Sequence, residues 1–262
     1  MKIVVCVKEV PDTTEIKIDP EHNTLIREGV PSIINPFDLN ALEEALKIKD
    51  ENQAEVIVIS MGPPSVEKNL KELLAMGADK AYLITDRAFA GADTLATSLT
   101  LTAAIKKIGD VDLIVSGKQA IDGDTAQVGP GIAELLNVPQ LIFIQRILKT
   151  DEKTLTARRA TESGYEDVEV ELPAVISIIK STTDPRLPSL RGMMKAKRAE
   201  VPQFEHKELE LDPKDIGLNG SPTKVIKIFT PKREHQGRML EGEPNEMAKE
   251  LVKELRASGL IS

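Results

Sequence analysis

The sequence predicts an α/β fold: a doubly wound, mostly parallel sheet with a β-hairpin and strand extension, and a C-terminal arm ending in a helix. Three observations carry this. Over residues 1–147, short apolar runs alternate with helical patterns, which is how a parallel sheet is covered by two layers of helices. The runs are near-continuous, as expected of strands buried on both faces. Beyond residue 148 the period changes to strict alternation and then to a polar, proline-rich stretch.

The strands are expected at Ile3–Val7, Val56–Ser60, Tyr82–Thr85, Leu113–Ser116 and Leu141–Ile147. Between them, Leu39, Leu42 and Leu46 mark one helical face, and Val66, Leu70, Leu73 and Leu74 a second. Leu95, Leu99, Leu101, Ile105 and Ile108 mark a third, and Val128, Ile132, Leu135 and Leu136 a fourth. Thr154–Arg159 and Val168–Leu172 alternate and predict a hairpin, with Ala174–Lys180 an apolar strand after it. These elements make a domain over 1–200, with an arm over 201–262. Pro244 suits the first turn of a last helix, whose stripe is Met247, Leu251 and Leu255. A stripe of this kind at the end of a polar arm is expected to pack on another part of a domain or on a partner chain.

Composition excludes several classes. The 262 residues are 41% apolar and 29% charged, ordinary for a globular protein. No apolar run is long enough to span a bilayer, and the N-terminus reads as a first strand rather than a signal peptide. A single cysteine, Cys6, forms no internal disulfide and fits a reducing cytoplasm. A net charge of −8, no Trp and only Tyr82 and Tyr165 argue against nucleic-acid binding. His22, His206 and His235 are too scattered to suggest a metal site, and no nucleophile–base arrangement stands out.

The richest motif is Gly117–Gly131, where a β-branched run passes through a glycine- and aspartate-rich loop into a helix start. A helix start carries unpaired N–H groups and partial positive charge, which suits a phosphate. Asp124 and Gln127 have the spacing of a capping pair, and Pro130 predicts a kinked or delayed helix start. Gly123, Gly129 and Gly131 would let a ligand approach the backbone. In doubly wound sheets ligands gather at the carboxyl ends of strands, and Cys6–Pro11, Ser60–Pro64, Ala90–Thr94 and Gly117–Thr125 should all lie there. The segments Asn35-Pro36-Phe37-Asp38 and Asp93-Thr94 also read as helix caps, a purely structural alternative.

Several motifs in order resemble one family. They are Cys6-Val7-Lys8, Asn35-Pro36-Phe37-Asp38, Ala75-Met76-Gly77-Ala78-Asp79, Gly117-Lys118-Gln119-Ala120-Ile121-Asp122, Leu172-Pro173-Ala174-Val175, Asp184-Pro185-Arg186 and Met194-Lys195-Ala196-Lys197. Together they resemble the β subunit of electron transfer flavoprotein over essentially the whole chain. The resemblance implies a Rossmann-like, adenine-nucleotide-binding domain and a heterodimer with an α subunit that carries one FAD. Asp86–Ser98, and Ser221-Pro222-Thr223 through Phe229-Thr230-Pro231-Lys232, resemble the electron-bifurcating branch, in which this subunit holds a second FAD. The respiratory branch holds AMP instead, which is the alternative cofactor.

The resemblance and the strand-end argument together point to Cys6, Val7, Lys8, Asn35, Phe37, Asp38, Met61, Gly62, Asp93, Thr94, Thr97, Asp122, Gly123, Asp124, Thr125, Ala126, Gln127, Val128, Gly129 and Ala133 as cofactor-binding residues. The resemblance also implies that loop 184–198 docks a dehydrogenase, with Leu190 as apolar anchor among Arg186, Arg191, Lys195 and Lys197. The implied partners are the α subunit, an acyl-CoA dehydrogenase, NADH, and ferredoxin or flavodoxin. With no catalytic centre of its own, the chain fits a redox subunit whose chemistry belongs to flavin. A stand-alone nucleotide-hydrolysing enzyme of similar fold would need a phosphate-activating Lys-Ser/Thr pair, which is missing.

Overall fold

The computed structural model describes residues 1–12, 31–181, 183–226, 237 and 239–261. The chain opens with β1 (Lys2–Cys6), then the short antiparallel pair β2 (Glu9–Pro11) and β3 (Ser32–Ile34). Helix α1 (Pro36–Asn52) follows, then β4 (Glu55–Met61), α2 (Glu67–Met76) and β5 (Lys80–Ile84). Next come α3 (Thr94–Ile108), β6 (Leu113–Gly117) and α4 (Val128–Leu136). The extension comprises β7 (Gln140–Thr150), β8 (Thr154–Thr161), β9 (Gly164–Glu171) and β10 (Ala174–Ile178). Helix α5 (Leu190–Arg198), β11 (Gln203–Phe204) and α6 (Pro244–Ala257) complete the chain.

Among the described residues, nine strands form one sheet in the order β11-β5-β4-β1-β6-β10-β7-β8-β9. All pairings are parallel except the antiparallel β7-β8-β9 ribbon. The chain leaves β1 toward β4 and β5 on one side, then returns to lay β6 on the other. The direction of winding therefore reverses at β1/β6, the place where such sheets open a crevice at their carboxyl edge. Strand alternation divides the core in two. Ile3 and Val5 pack with Leu42, Leu46, Leu70 and Leu73 from α1 and α2. Val4 and Cys6 face the other way, among Leu101, Ile105 and Ile132 from α3 and α4.

Three expectations change. The stretch after residue 200 does not leave the domain: Gln203 and Phe204 add a strand to β5, and the Phe204 ring stacks on Tyr82 at 5.0 Å. Leu209 and Ile216 are buried beyond it, so the compact unit runs Met1–Ile226 and a second unit runs Lys227–Ser262. The apolar residues there, Val201, Phe204, Leu209, Leu211, Ile216 and Leu218, follow neither a helix nor a strand period among many charges, so the sequence suggests an arm. The 184–198 segment is half helix: the Ser189 hydroxyl accepts from Gly192 N at 3.0 Å and starts α5. Finally, Asp124 and Gln127 do not form a capping pair. Helix α4 begins only at Val128, so Pro130 occupies its first turn, where no N–H is needed. Helix α6 has Pro244 at its start, as expected, and none of its residues is buried.

Candidate nucleotide site

Four segments meet at the carboxyl edge of β1 and β6. The Asn35 side chain is fully buried and clamps the loop that follows β6: its amide donates to Gln119 O at 2.8 Å and its oxygen accepts from Ile121 N at 3.2 Å. Its backbone N–H donates to Lys8 O at 2.9 Å. The Asp38 carboxylate accepts from Lys8 N at 2.8 Å and from Gly117 N at 3.1 Å, spanning the two strand ends. Lys8 reaches over the loop to Asp122, with Nζ 2.6 Å from Oδ1 and 2.9 Å from Oδ2. Gln119 and Asp124 close the loop through a side-chain hydrogen bond. Asp124 and Ala126 sit in left-handed backbone (φ 56° each), an unusual conformation for residues with a Cβ.

The start of α3 adjoins this loop: the Thr94 and Thr125 hydroxyls are 3.3 Å apart. Asp93 caps α3, accepting from Leu95 N and Ala96 N through one oxygen. Its other oxygen accepts from Thr223 N and its hydroxyl at 3.0 and 2.8 Å. Burial pushes the Asp93 carboxyl up, but hydrogen bonds from Ala96, Thr223 and Leu95 outweigh it and hold it below the usual carboxylate range. Nearby, the Ala88 N–H and His206 hold Asp86 low, with His206 Nδ1 2.5 Å from Asp86 Oδ2. Thus the strap 203–223 is tied to both ends of the turn that leads into α3.

The residues present fit an anionic nucleotide. No side chain caps α4, whose first turn opens on the same crevice, and the buried Ser116 hydroxyl beneath it has no hydrogen-bond partner. An uncapped helix start beside hydroxyls from Thr94 and Thr125 offers the donors that phosphate oxygens take. Among the described residues, no cluster of His, Cys, Asp and Glu could hold a metal ion. No described helix is long and apolar enough to cross a membrane.

The sequence-derived residues do not all play one part. Lys8, Asn35, Asp38, Thr94 and Asp122–Thr125 converge through the bonds above. Gly123 faces open space, its nearest neighbour to a Cβ being Lys8 Nζ at 4.0 Å. Gly129 and Gly131 instead serve packing, since a Cβ there would meet Ser116 Oγ at 2.8 Å and Ser98 Oγ at 2.5 Å. Cys6, Val7, Val128 and Ala133 lie in or against the core, where burial and then the Asp38 charge push the Cys6 thiol up to about 12. Met61 and Gly62 end β4, where Gly62 N donates to Ile84 O at 3.0 Å. Phe37 is half-buried in the first turn of α1, and Thr97 N donates to Asp93 O at 2.9 Å. Gln127 is the N-cap residue of α4, with no capping side chain.

Of the residues expected to dock a dehydrogenase, Leu190 is 78% exposed, and the neighbouring Leu187 is 86% exposed. Arg191, Lys195 and Lys197 are exposed beside Leu190 on α5. Arg186 is committed within the chain: it pairs with both oxygens of Glu43 at 2.9 and 3.1 Å and with Asp50 at 2.8 Å. Sequence reasoning missed Glu43 and Glu44, buried carboxylates of α1 that hold Arg186 and Ser181. The available signal was a pair of adjacent acids interrupting the otherwise apolar run Ala41–Leu46. Ser221 and the Phe143–Lys118 contact were missed as site neighbours; Lys118 Nζ lies 5.6 Å from the Phe143 ring, and Phe143 has φ 62°. The stretch Phe229-Thr230-Pro231-Lys232, with His22 and His235, lies outside the described residues.

Comparison with known proteins identifies the family of the chain. The electron transfer flavoprotein domain matches residues 22–209. The chain is 51% identical over 263 residues to the caffeyl-CoA reductase-Etf complex subunit CarD of Acetobacterium woodii, covering 100% of both chains. It is 52% identical over 261 residues to the electron transfer flavoprotein subunit beta of Clostridium acetobutylicum, again covering 100% of both. It is 47% identical over 238 residues to protein FixA of Azotobacter vinelandii, covering 88% of this chain and 85% of that one.

Proposed function

Because the chain belongs to the electron transfer flavoprotein family, as a β subunit paired with an α subunit, we propose that it binds FAD in the β1/β6 crevice and takes part in electron bifurcation in the cytoplasm. The donor is NADH. One acceptor is a low-potential carrier, ferredoxin or flavodoxin, and the other is an acyl-CoA dehydrogenase reached through the α-subunit FAD. The observation that carries FAD over AMP is the meeting of two helix starts. Thr94 at the start of α3 touches Thr125 in the loop leading to α4, so both positive helix ends serve one crevice. Two such ends match a diphosphate better than a monophosphate. The likeness to a subunit of a caffeyl-CoA reductase-Etf complex supports the same reading.

FAD, when bound, supplies hydride acceptance and one-electron release. The chain's own part is to hold and shield it. Asn35 and Asp38 fix the loop after β6, Lys8 neutralises Asp122 beside it, and the Thr94, Thr97 and Thr125 hydroxyls would donate to the phosphate oxygens of FAD. Strap residues Ser221 and Thr223 keep the start of α3 in register through Asp93. Exposed Leu190 on α5 docks the dehydrogenase, with Arg191, Lys195 and Lys197 steering an acidic surface toward it. The test is the nucleotide content of the purified αβ heterodimer. Two FAD and no AMP per pair supports the reading; one FAD and one AMP overturns it.

A further inference from the structure

We propose that Asp38 is a positioning residue of the nucleotide site, whose ionised carboxylate ties the end of β1 to the end of β6 and thereby makes nucleotide binding dependent on pH. This rests on the reading of the β1/β6 crevice as a nucleotide site.

Asp38 is the third residue of α1, where an acid commonly turns back to accept from the N-cap N–H. That N–H, on Asn35, is already given to Lys8 O at 2.9 Å. Both Asp38 oxygens are therefore free to reach across: one accepts from Lys8 N at 2.8 Å, the other from Gly117 N at 3.1 Å. These two residues flank the winding reversal, and the loop after Gly117 carries Asp122 to Thr125 into the crevice. A carboxylate can serve both N–H groups. A neutral acid cannot serve both equally, because its proton occupies one oxygen and confronts a donor. Protonation thus releases one strand end, and the loop must then be ordered by the ligand itself, which lowers affinity.

Among the described residues, the groups facing Asp38 are few. From β1 come the Cys6 thiol, pushed up to about 12 and so neutral, and Lys8, whose ammonium is held by Asp122 at 2.6 Å. From α1 comes the Asn35 amide, and Gly117 of β6 has no side chain. Burial raises the Asp38 carboxyl to about 7, with Asn35, the Lys8 and Gly117 N–H groups and the Lys8 charge acting against it. Its ionisation accordingly falls in the neutral range rather than near that of an exposed aspartate.

The experiment is equilibrium dialysis of the αβ heterodimer against FAD and, separately, AMP, from about pH 5.5 to about 8.5. The nucleotide bound beyond the α-subunit FAD is counted. For wild type, affinity for whichever nucleotide is bound should fall below neutrality by about tenfold in total and level off above it. Asp38→Asn, which keeps one acceptor but turns an NH2 toward the other N–H, should bind about tenfold more weakly at high pH and show no slope. A flat wild-type profile at full stoichiometry overturns the role of Asp38 alone, as does Asp38→Asn with the wild-type slope. The wild-type profile stands without the variant should Asp38→Asn not fold. Absence of any second nucleotide at every pH overturns the site itself. A merely structural Asp38 would change urea stability without moving the pH slope.

Discussion

Gly117→Ala isolates the closest packing in the crevice. A Cβ on Gly117 would collide with Asp38 Oδ1 and lie 2.7 Å from both the carbonyl carbon and the Cβ of Phe37. That is roughly 0.8 Å inside an ordinary carbon contact of 3.5–4.0 Å. All three obstacles belong to the first turn of α1, which is itself pinned by the hydrogen bonds of Asn35 and Asp38, so relief requires the helix start to move. Overpacking of this kind typically costs about 1–3 kcal/mol, and the Asp38–Gly117 hydrogen bond would be lost with it, for a total of about 3 kcal/mol or more. The other glycines give an internal scale. At Gly131 the obstacle includes Ser98 Cβ at 2.9 Å, and the Ser98 hydroxyl already donates to Thr94 O, so Gly131→Ala should cost about 1–2 kcal/mol. At Gly129 only the partnerless Ser116 hydroxyl must swing aside, and alanine's helix propensity compensates, leaving about 1 kcal/mol or less either way. Gly123→Ala meets nothing closer than 4.0 Å and should be within about 0.5 kcal/mol of wild type. Urea midpoints followed by circular dichroism on the four variants read the order. Gly117→Ala as stable as Gly123→Ala would refute the argument that the α1 start and the end of β6 are locked together.

Further expectations follow from the same contacts. Asp93→Ala removes the α3 cap, costing about 1–2 kcal/mol in thermal unfolding, and frees Thr223 as well. Because the Asp93 carboxyl is held below its ordinary range, that stabilisation is present at neutral pH and lost as pH falls through the folded value, so the wild-type advantage should shrink in acid. Glu43→Gln weakens the Arg186 ion pair and should speed limited proteolysis within 184–189 while leaving nucleotide content unchanged; unchanged cleavage would show that Asp50 suffices. Leu190→Ala should leave the unfolding midpoint alone, since the side chain is 78% exposed, yet weaken dehydrogenase binding by about 2 kcal/mol in a titration. Lys195→Ala with Lys197→Ala should slow association with the dehydrogenase at low salt and converge on wild type at high salt, as exposed charges are screened beyond about 8 Å at physiological ionic strength. A wild-type association rate that does not respond to salt would mean that these lysines have another role.

The amino-acid sequence by itself determined the alternation of strands and helices, because burial on both faces forces near-continuous apolar runs at β1, β4 and β6 and a 3.6-residue period between them. It also marked the loop after β6, since glycine and aspartate in a βα turn leave a local chemical signature, and the motifs of the family lie along the chain where local spacing can display them. What it could not display were contacts between distant segments. Asp38 reads as an ordinary helix-start acid until Asn35 is seen to give its N–H to Lys8, which turns the carboxylate toward Gly117, 79 residues away. Arg186 reads as a docking cation until Glu43, 143 residues earlier, is found beneath it. Leu209 and Ile216 read as stray apolar residues in an arm until β5 and α3 supply the surface they cover. In each case local propensity fixes what a residue can offer, a donor, an acceptor or an apolar face. Only the closing of the sheet decides which partner takes it, because the hydrogen bonds and burial that reward the choice exist only once both segments are in place.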